Sequence, residues 1–544
     1  MGYSIKNIYV YEQKYEGGGT KDMENKFKNS ILDKNVLSVT WELVPGRGSN
    51  EKAQESAIAS AEQAAKGGRV HALTITDNPG GNPAILADYL GMEIIKMGIE
   101  PLVHFTCKDK NRNQMESQLH ALDRAKIRNL LVMTGDYTVS GFKGRPKPVF
   151  DLDPSNTLEL IGEMNKGLEV PGFKGPTHNL PSDFFAGAAV SPFKANEAEL
   201  MVQYYKLKKK IAGGAQFVVT QLGYDVRKCH EVLQFLKVNK LDIPVVGNIY
   251  VLPYGAANVM NQNKLPGCVV TDKLLAELDK EKAAPDKGVG ARMLRAAKLY
   301  AILKGLGVAG VHIGGHNLKY EQLEYILDKG EELFPNWRDY VKEFDYPQPN
   351  GFYLFEKDEK TGLNTERLTS RVNLPLDAPG GGMATIMRGM HALLFTPNKK
   401  LFFMMRGMYR AAEGKKTTEK VMHAVEHLAK VVILDCKDCG DCAMLDIGYL
   451  CPMSQCPKSQ RNGACGGSFN GWCEVYPNQK KCVWVRAYAR LKKHGEEATL
   501  DVPPVPPANW DFYQTSSWSN FFLGKDHSAP ILGIKRPPSK VDKA

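Results

Sequence analysis

The sequence predicts an α/β protein: a (β/α)8 TIM barrel followed by a smaller cysteine-rich, metal-binding α+β domain. Three observations predict it. Short, mostly apolar runs recur eight times between residues 37 and 316, each with polar groups at its C-terminal end. The segments between them carry apolar residues at three- and four-residue spacing, as amphipathic helices do. Of 11 cysteines, only Cys107, Cys229 and Cys268 precede residue 436, and eight crowd into 436–482.

Taken in order, residues 1–35 form a polar N-terminal extension. The strand runs are Leu37–Pro45, His71–Asn78, Pro101–Asp109, Arg128–Tyr137, Phe184–Pro192, Ala215–Tyr224, Ile243–Leu252 and Gly307–His316. Near-continuous apolar runs, rather than alternating ones, are the pattern of parallel strands buried on both faces. Eight such units over about 300 residues fit a barrel whose active site lies at the C-terminal strand ends. A doubly wound open sheet is the structural alternative. Thr138–Asp183, between the fourth and fifth strands, is Gly/Pro-rich and polar and reads as an active-site insertion or a surface excursion. The barrel domain then spans 36–330, a connector with the Gly-rich Pro379–Met383 spans 331–430, and the cysteine-rich domain with its Pro-rich tail spans 431–544.

Composition narrows the function. Hydrophobic content of 43% and charged content of 24% exclude wholesale disorder and fibrous classes. The formal charge, 71 − 60 = +11, suits anionic ligands such as phosphates or polycarboxylates, and a plain solvated surface accounts for it as well. Nothing points to nucleic acid. No run reaches the roughly 18 apolar residues of a membrane span, and Met1–Lys21 lacks the apolar core of a secretory signal. The expected location is cytoplasmic and reducing, where clustered cysteines bind metal more often than they pair.

Gly305–Gly310 (GLGVAG) satisfies a dinucleotide fingerprint, but a helix precedes it and a strand follows, the reverse of what phosphate binding requires. It reads as a helix C-cap. The strand ends offer Glu42, Asp77, His104, Thr106, Asp136, Gln221, Asn248 and His316, which a barrel would gather at one mouth. Glu42 and Asp136 fit a proton donor and an ionised anchor.

The segments WELVPGRG around Glu42, HFTC at His104–Cys107, TGD at Thr134–Asp136 and VTQLGYD at Val219–Asp225 resemble motifs of the methylenetetrahydrofolate reductase family. The resemblance covers about Leu37–His316. It implies an oxidoreductase acting on CH–NH groups, which uses a flavin, FAD or FMN, to reduce 5,10-methylenetetrahydrofolate to 5-methyltetrahydrofolate. Glu42 would protonate N10 as general acid, its pKa raised by the apolar Trp41, Leu43 and Val44, and Asp136 and Gln221 would hold the pterin. Thr74, His104, Thr106 and Gly135 fall at cofactor positions, and the Lys209-Lys210 pair suits phosphate. The sequence departs from the family pattern at Gln203, where an aspartate is common, at Val190 or Ser191 in place of a tyrosine, and across Asn248–Pro253, the nicotinamide region.

The cysteines run Cys436-x2-Cys439-x2-Cys442-x8-Cys451-x4-Cys456-x8-Cys465-x7-Cys473-x8-Cys482. Thiolates two residues apart, with Pro after Cys451 and Cys456, suit a [4Fe-4S] cluster, and eight could hold one cluster and one zinc, or two zincs. Residues from about Gly351 to His527 resemble the C-terminal domain attached to, or partnered with, methylenetetrahydrofolate reductases of acetogenic and related anaerobes. That resemblance implies an electron-donor protein, ferredoxin or an oxidoreductase complex, in addition to the tetrahydrofolate substrate. A homo-oligomer is compatible with the sequence. The rival readings are a pterin-dependent methyltransferase barrel without redox chemistry and a non-catalytic electron-relay subunit.

Overall fold

The computed structural model describes residues 24–374, 382–501 and 503–534. Most of the polar lead, Pro379–Gly381 and the Pro537-Pro538 end lie outside the described residues.

Eight parallel strands close into a barrel: β1 Ser38–Leu43, β2 Ala72–Ile75, β3 Glu100–Thr106, β4 Asn129–Met133, β5 Phe185–Val190, β6 Phe217–Thr220, β7 Val245–Tyr250 and β8 Gly310–Gly314. Each pairs with its neighbours in sequence, and β8 closes on β1 with Ser38 opposite Gly310 and Trp41 opposite Ile313. That closure excludes the open doubly wound sheet. Strands buried on both faces have no solvated side to advertise by alternation, which is why they read as apolar runs.

The barrel floor is sealed by the helix Lys26–Leu32. Asn25 caps it by accepting from the Lys28 N–H at 3.0 Å and donates from Nδ2 to Asn129 at 2.7 Å. Phe27, wholly buried, sits edge-on to Phe217 at 5.3 Å and shares a cluster with Phe185, Leu102 and Val246. The polar lead therefore ends in a piece of barrel core. Thr138–Asp183 also contains a regular element, the barrel helix Pro154–Met164, capped by Asp153. At the far end of the barrel, Gly307 caps the helix Val289–Leu306 in the left-handed region, as the GLGVAG run predicts.

The connector stays on the barrel. Its hairpin, Phe355–Lys357 and Asn364–Leu368, is held by Arg227 donating to Asn364 at 2.7 Å and to the Phe355 carbonyl at 2.7 Å. Beyond residue 382 the described chain is helical and loop-rich: Gly382–Met390, Lys400–Ala412, Lys416–Leu434 and Val483–Lys492, with the cysteines in loops and β-pairing limited to isolated bridges. Helix Val483–Lys492 packs Trp484, Val485 and Tyr488 against Ala198 and Val202 of the barrel helix Glu197–Ala212. No described helix is long and apolar enough to cross a membrane.

Candidate active site and cysteine centres

Inside the mouth, Glu42 on β1 faces His312 on β8, with Oε2 3.5 Å from Nε2. The other imidazole nitrogen lies 3.0 Å from the Thr40 hydroxyl and 3.2 Å from that of Thr74. Burial raises the pKa of Glu42, but the hydrogen bond and charge of His312, with the charge of His104, outweigh it and leave the carboxyl below its ordinary value. This reverses the expectation of a raised pKa. The physical reason is the pleat: Trp41 and Leu43 point to the opposite face of β1, where Trp41 packs near Tyr320, so they are not the neighbours of the carboxyl. His104 is pushed down to about 4, chiefly by burial, and is neutral at pH 7. Its Nε2 is buried without a partner, as are Thr76 Oγ1 and Ser191 Oγ.

On the rim, Thr106 donates its hydroxyl to Asp77 at 2.7 Å, and Lys110 pairs with the same carboxylate at 3.1 Å. Burial raises the pKa of Asp77, but Lys110 and the Thr106 bond overcome it and lower it. Gly135 has φ +84°, and a Cβ there would stand 2.9 Å from that of Thr106, so only glycine fits. The exposed Asp136 accepts from the Gly80 N–H at 2.8 Å, which fixes its carboxylate at the rim. Gln221 accepts from the Leu222 N–H at 2.9 Å and keeps its amide nitrogen near Gly267. Beside them, burial and then the charges of Asp136 and Glu42 push the Cys268 thiol up to about 12.

The cysteine-rich module covers the β4–β6 side of this mouth. Lys458 donates to the Gly135 carbonyl at 2.7 Å and pairs with Glu474. Gln460 accepts from Thr134 at 3.2 Å and from Lys206 at 2.8 Å, and Lys194 donates to the carbonyl of Ser468 at 2.8 Å. Lys209 and Lys210 lie in the covered wall. Lys209 Nζ sits 5.8 Å from the Trp484 ring and has no partner, while Lys210 donates to the Ala189 carbonyl at 2.5 Å and is pushed down to about 7 by burial.

The eight cysteines divide into two quartets. Cys436, Cys439, Cys442 and Cys451 line one cavity together with His423, His427 and Lys430. Burial, then Cys442, Cys451 and Cys436, push Cys439 up to about 12 against the charge of Arg461, which lowers it. In the other quartet, burial raises Cys482, and Cys465, Cys456 and Cys473 add to the effect. Coulombic influence of this kind requires close approach. Each quartet has a cation beside it, Lys430 for the first and Lys458 for the second, as thiolate ligands favour. All 11 cysteines are unpaired.

A third group, Asp441, Asp526 and His527, has ligand-type atoms within 4.8 Å of one another. Burial alone would lower His527, but its hydrogen bonds to Asp441 and Asp446 dominate and push it up to about 9. A protonated imidazole is a clamp between carboxylates rather than a metal ligand.

Two family models fit the chain. Residues 27–329 match methylenetetrahydrofolate reductase, and residues 415–511 match the methylene-tetrahydrofolate reductase C-terminal family. The first match alone covers more than half of the 544 residues. The chain belongs to the methylenetetrahydrofolate reductase family. No curated protein sequence matches it. Among solved structures it is similar to an uncharacterized protein from Clostridium thermocellum that binds two copies of 5-methyl-5,6,7,8-tetrahydrofolic acid, with 13% identity, 57% of this chain and 99% of that one covered, and a TM-score of 0.40. It is also similar to Xanthomonas albilineans dihydropteroate synthase with 4-aminobenzoic acid, at 12% identity, 58% and 96% coverage and a TM-score of 0.32. Mycobacterium tuberculosis tryptophan synthase matches at 12% identity, 59% and 96% coverage and a TM-score of 0.30.

In this reductase-family chain the structure brings Glu42, Thr74 and His104 together inside the mouth, and Thr106, Gly135, Asp136 and Gln221 around its rim. Lys209 and Lys210 stand apart, in the wall beneath the module. Asn248 engages Thr220 through its backbone, and His316 is exposed beside Asn317. Sequence reasoning missed His312, Cys268, Lys206 and Gln460. His312 lies inside an apolar run rather than at its end, and only the alternation Thr40, Glu42 across from it marks an inward-facing polar layer.

Proposed function

We propose that this chain reduces 5,10-methylenetetrahydrofolate to 5-methyltetrahydrofolate with a flavin at the barrel mouth, its electrons entering by way of the C-terminal module. The observation that carries the reading is the contact at 3.5 Å between the half-buried Glu42 and the buried His312, in a mouth that also holds buried polar atoms with no partner of their own. Glu42, in contact with His312, is the residue that would pass a proton to N10 of the folate, and the two threonine hydroxyls on the far imidazole nitrogen keep the ring in register. Asp136, fixed by Gly80, and Gln221 bind the pterin edge.

The residues present fit a flavin. Unpartnered buried groups at His104, Thr76 and Ser191 are what a heterocycle with several polar edges would satisfy, and the Thr106–Gly135 corner gives a close backbone approach. Both quartets fit metal. Four thiolates with a cation beside them suit an iron–sulfur cluster or a tetrahedral zinc ion in each quartet. When bound, the flavin would supply hydride chemistry and the clusters one-electron transfer. Unpaired thiols suit a reducing, cytoplasmic setting.

Glu42→Gln tests the reading. Flavin absorbance of the purified protein is expected to persist while methylenetetrahydrofolate reduction falls at least about 100-fold, the scale of a lost general acid. An unchanged rate refutes the acid role. Iron and acid-labile sulfide in protein purified without oxygen test the quartets, and their absence refutes the clusters.

A further inference from the structure

The helix Lys416–Leu434 has two faces with different fates. One turns His423, Glu426, His427 and Lys430 into the cavity shared with Cys436, Cys439, Cys442 and Cys451. The other presents Val421, Val425, Leu428 and Val432, which are 59%, 65%, 68% and 78% exposed. Their spacing of four, three and four is the seam of a helix that packs against a partner. A contiguous apolar stripe of this kind on a water-facing helix marks an interaction surface. The preceding helix, Lys400–Ala412, adds exposed Phe403, Met404 and Met408. A separate apolar groove lined by Ile386, Met390, Ile433 and Trp518, the third of them on helix Lys416–Leu434 itself, reaches Cys442.

Charge decides the occupant. Around the turn that joins the two helices, Arg410, Lys415, Lys416 and Lys420 are all exposed. The two acids of this stretch are already engaged: Glu413 pairs with Lys525 at 2.8 Å, and Glu419 accepts from the Gly414 N–H at 2.9 Å. An apolar stripe with a basic rim is complementary to an acidic partner, and a second copy of the chain would bring like charges together. The opposite face of the same helix is lined with thiols, about one helix diameter, ~10 Å, away.

We propose that the Val421–Val432 stripe and its basic rim are the docking site for an acidic one-electron carrier protein. This rests on the reductase reading above. Folate reduction breaks the N10–C bond and makes one C–H and one N–H bond, taking up two electrons and two protons. Two carriers are therefore each oxidised by one electron per turnover.

The test uses the intact holoenzyme purified without oxygen, with a purified, reduced acidic [4Fe-4S] ferredoxin as probe and reduced methyl viologen as a donor that needs no docking. Two variants are compared with wild type: Val425→Asp with Leu428→Asp, and Lys415→Glu with Lys416→Glu and Lys420→Glu. Each is expected to raise the KM for ferredoxin at least about tenfold and to weaken its calorimetric binding, with viologen-driven turnover within about twofold of wild type. Unchanged ferredoxin binding in both variants, or none in wild type, overturns the proposal. So does a wild-type dimer that Val425→Asp with Leu428→Asp converts to monomer in sedimentation, or flotation with phosphatidylserine vesicles that the same variant abolishes. If wild type reduces no folate with either donor, the reductase reading fails, and ferredoxin binding still decides the surface.

Discussion

The two cysteine quartets are chemically alike and are housed differently. Cys456, Cys465, Cys473 and Cys482 belong to a segment sewn onto the barrel: Lys458 reaches Gly135, Lys206 and Thr134 reach Gln460, and Cys482 starts the helix that buries Trp484. Cys436, Cys439, Cys442 and Cys451 line a cavity walled by a helix whose outer face is bare. The barrel-bound quartet belongs to the interface that shapes the mouth, and the other lies just beneath an exposed helix. Loss of the first should therefore damage structure and catalysis together, and loss of the second should damage only the supply of electrons.

The largest effect is expected from Cys482→Ala. Because folding of a thiolate site is coupled to its metal, this variant should lose one metal centre and the seating of Trp484, with turnover from any donor falling on the order of 100-fold or more. Metal analysis beside viologen-driven kinetics measures it, and a normal viologen rate would break the proposed division. Lys458→Met comes next. It leaves the buried Glu474 carboxylate unpaired, which costs about 3–5 kcal/mol for a buried ion pair, and it removes the pin to Gly135. Limited proteolysis should then release the module from an intact barrel, and resistance equal to wild type would contradict this. For Cys439→Ser the expectation is a similar fall in metal content but only ferredoxin-driven turnover reduced, by about tenfold or more, with viologen-driven turnover preserved.

The smallest effect concerns the barrel alone. His104 titrates near 4 in the folded state, chiefly through burial, against about 6.5 when unfolded. Between those values the unfolded chain binds more protons, so stability falls as pH drops from about 6.5 through 4. Thermal midpoints measured from pH 7 to pH 5 should show that loss, and His104→Asn should make it shallower. His230, also held near 4 by burial, and His71 and His391, likewise lowered by burial, add to the slope in either protein.

The barrel was legible because each strand is buried on both faces and therefore spells itself as an apolar run. The rim was legible for the related reason that a barrel collects strand ends at one place. What stayed hidden depends on neighbours distant in sequence. Phe27 and Ile31 are two apolar residues in a polar lead, and only the open floor of the barrel makes them core. His312 is one polar residue in an apolar strand, and its meaning comes from Glu42 some 270 residues earlier. The surroundings of Lys209 and Lys210, the Trp484 ring and the Ala189 carbonyl, come from a distant helix and a neighbouring strand that the pair itself does not announce. The division of eight cysteines into two quartets follows from loop paths that spacing alone leaves open.

After leaving the barrel and building the module, the chain comes back. Arg112 donates to the Ala508 carbonyl at 2.9 Å, and Trp510 donates to Asp151 at 2.8 Å. The module is thus tied down at both ends, with contacts on the segments that follow β3, β4, β5 and β7. Traffic through the mouth is left to the opposite sector, where Val44, Arg47 and Ser49 after β1 and Asn317 after β8 stand exposed. Under the proposed reading a folate tail would cross that sector on both arrival and departure, so substrate and product would compete for it.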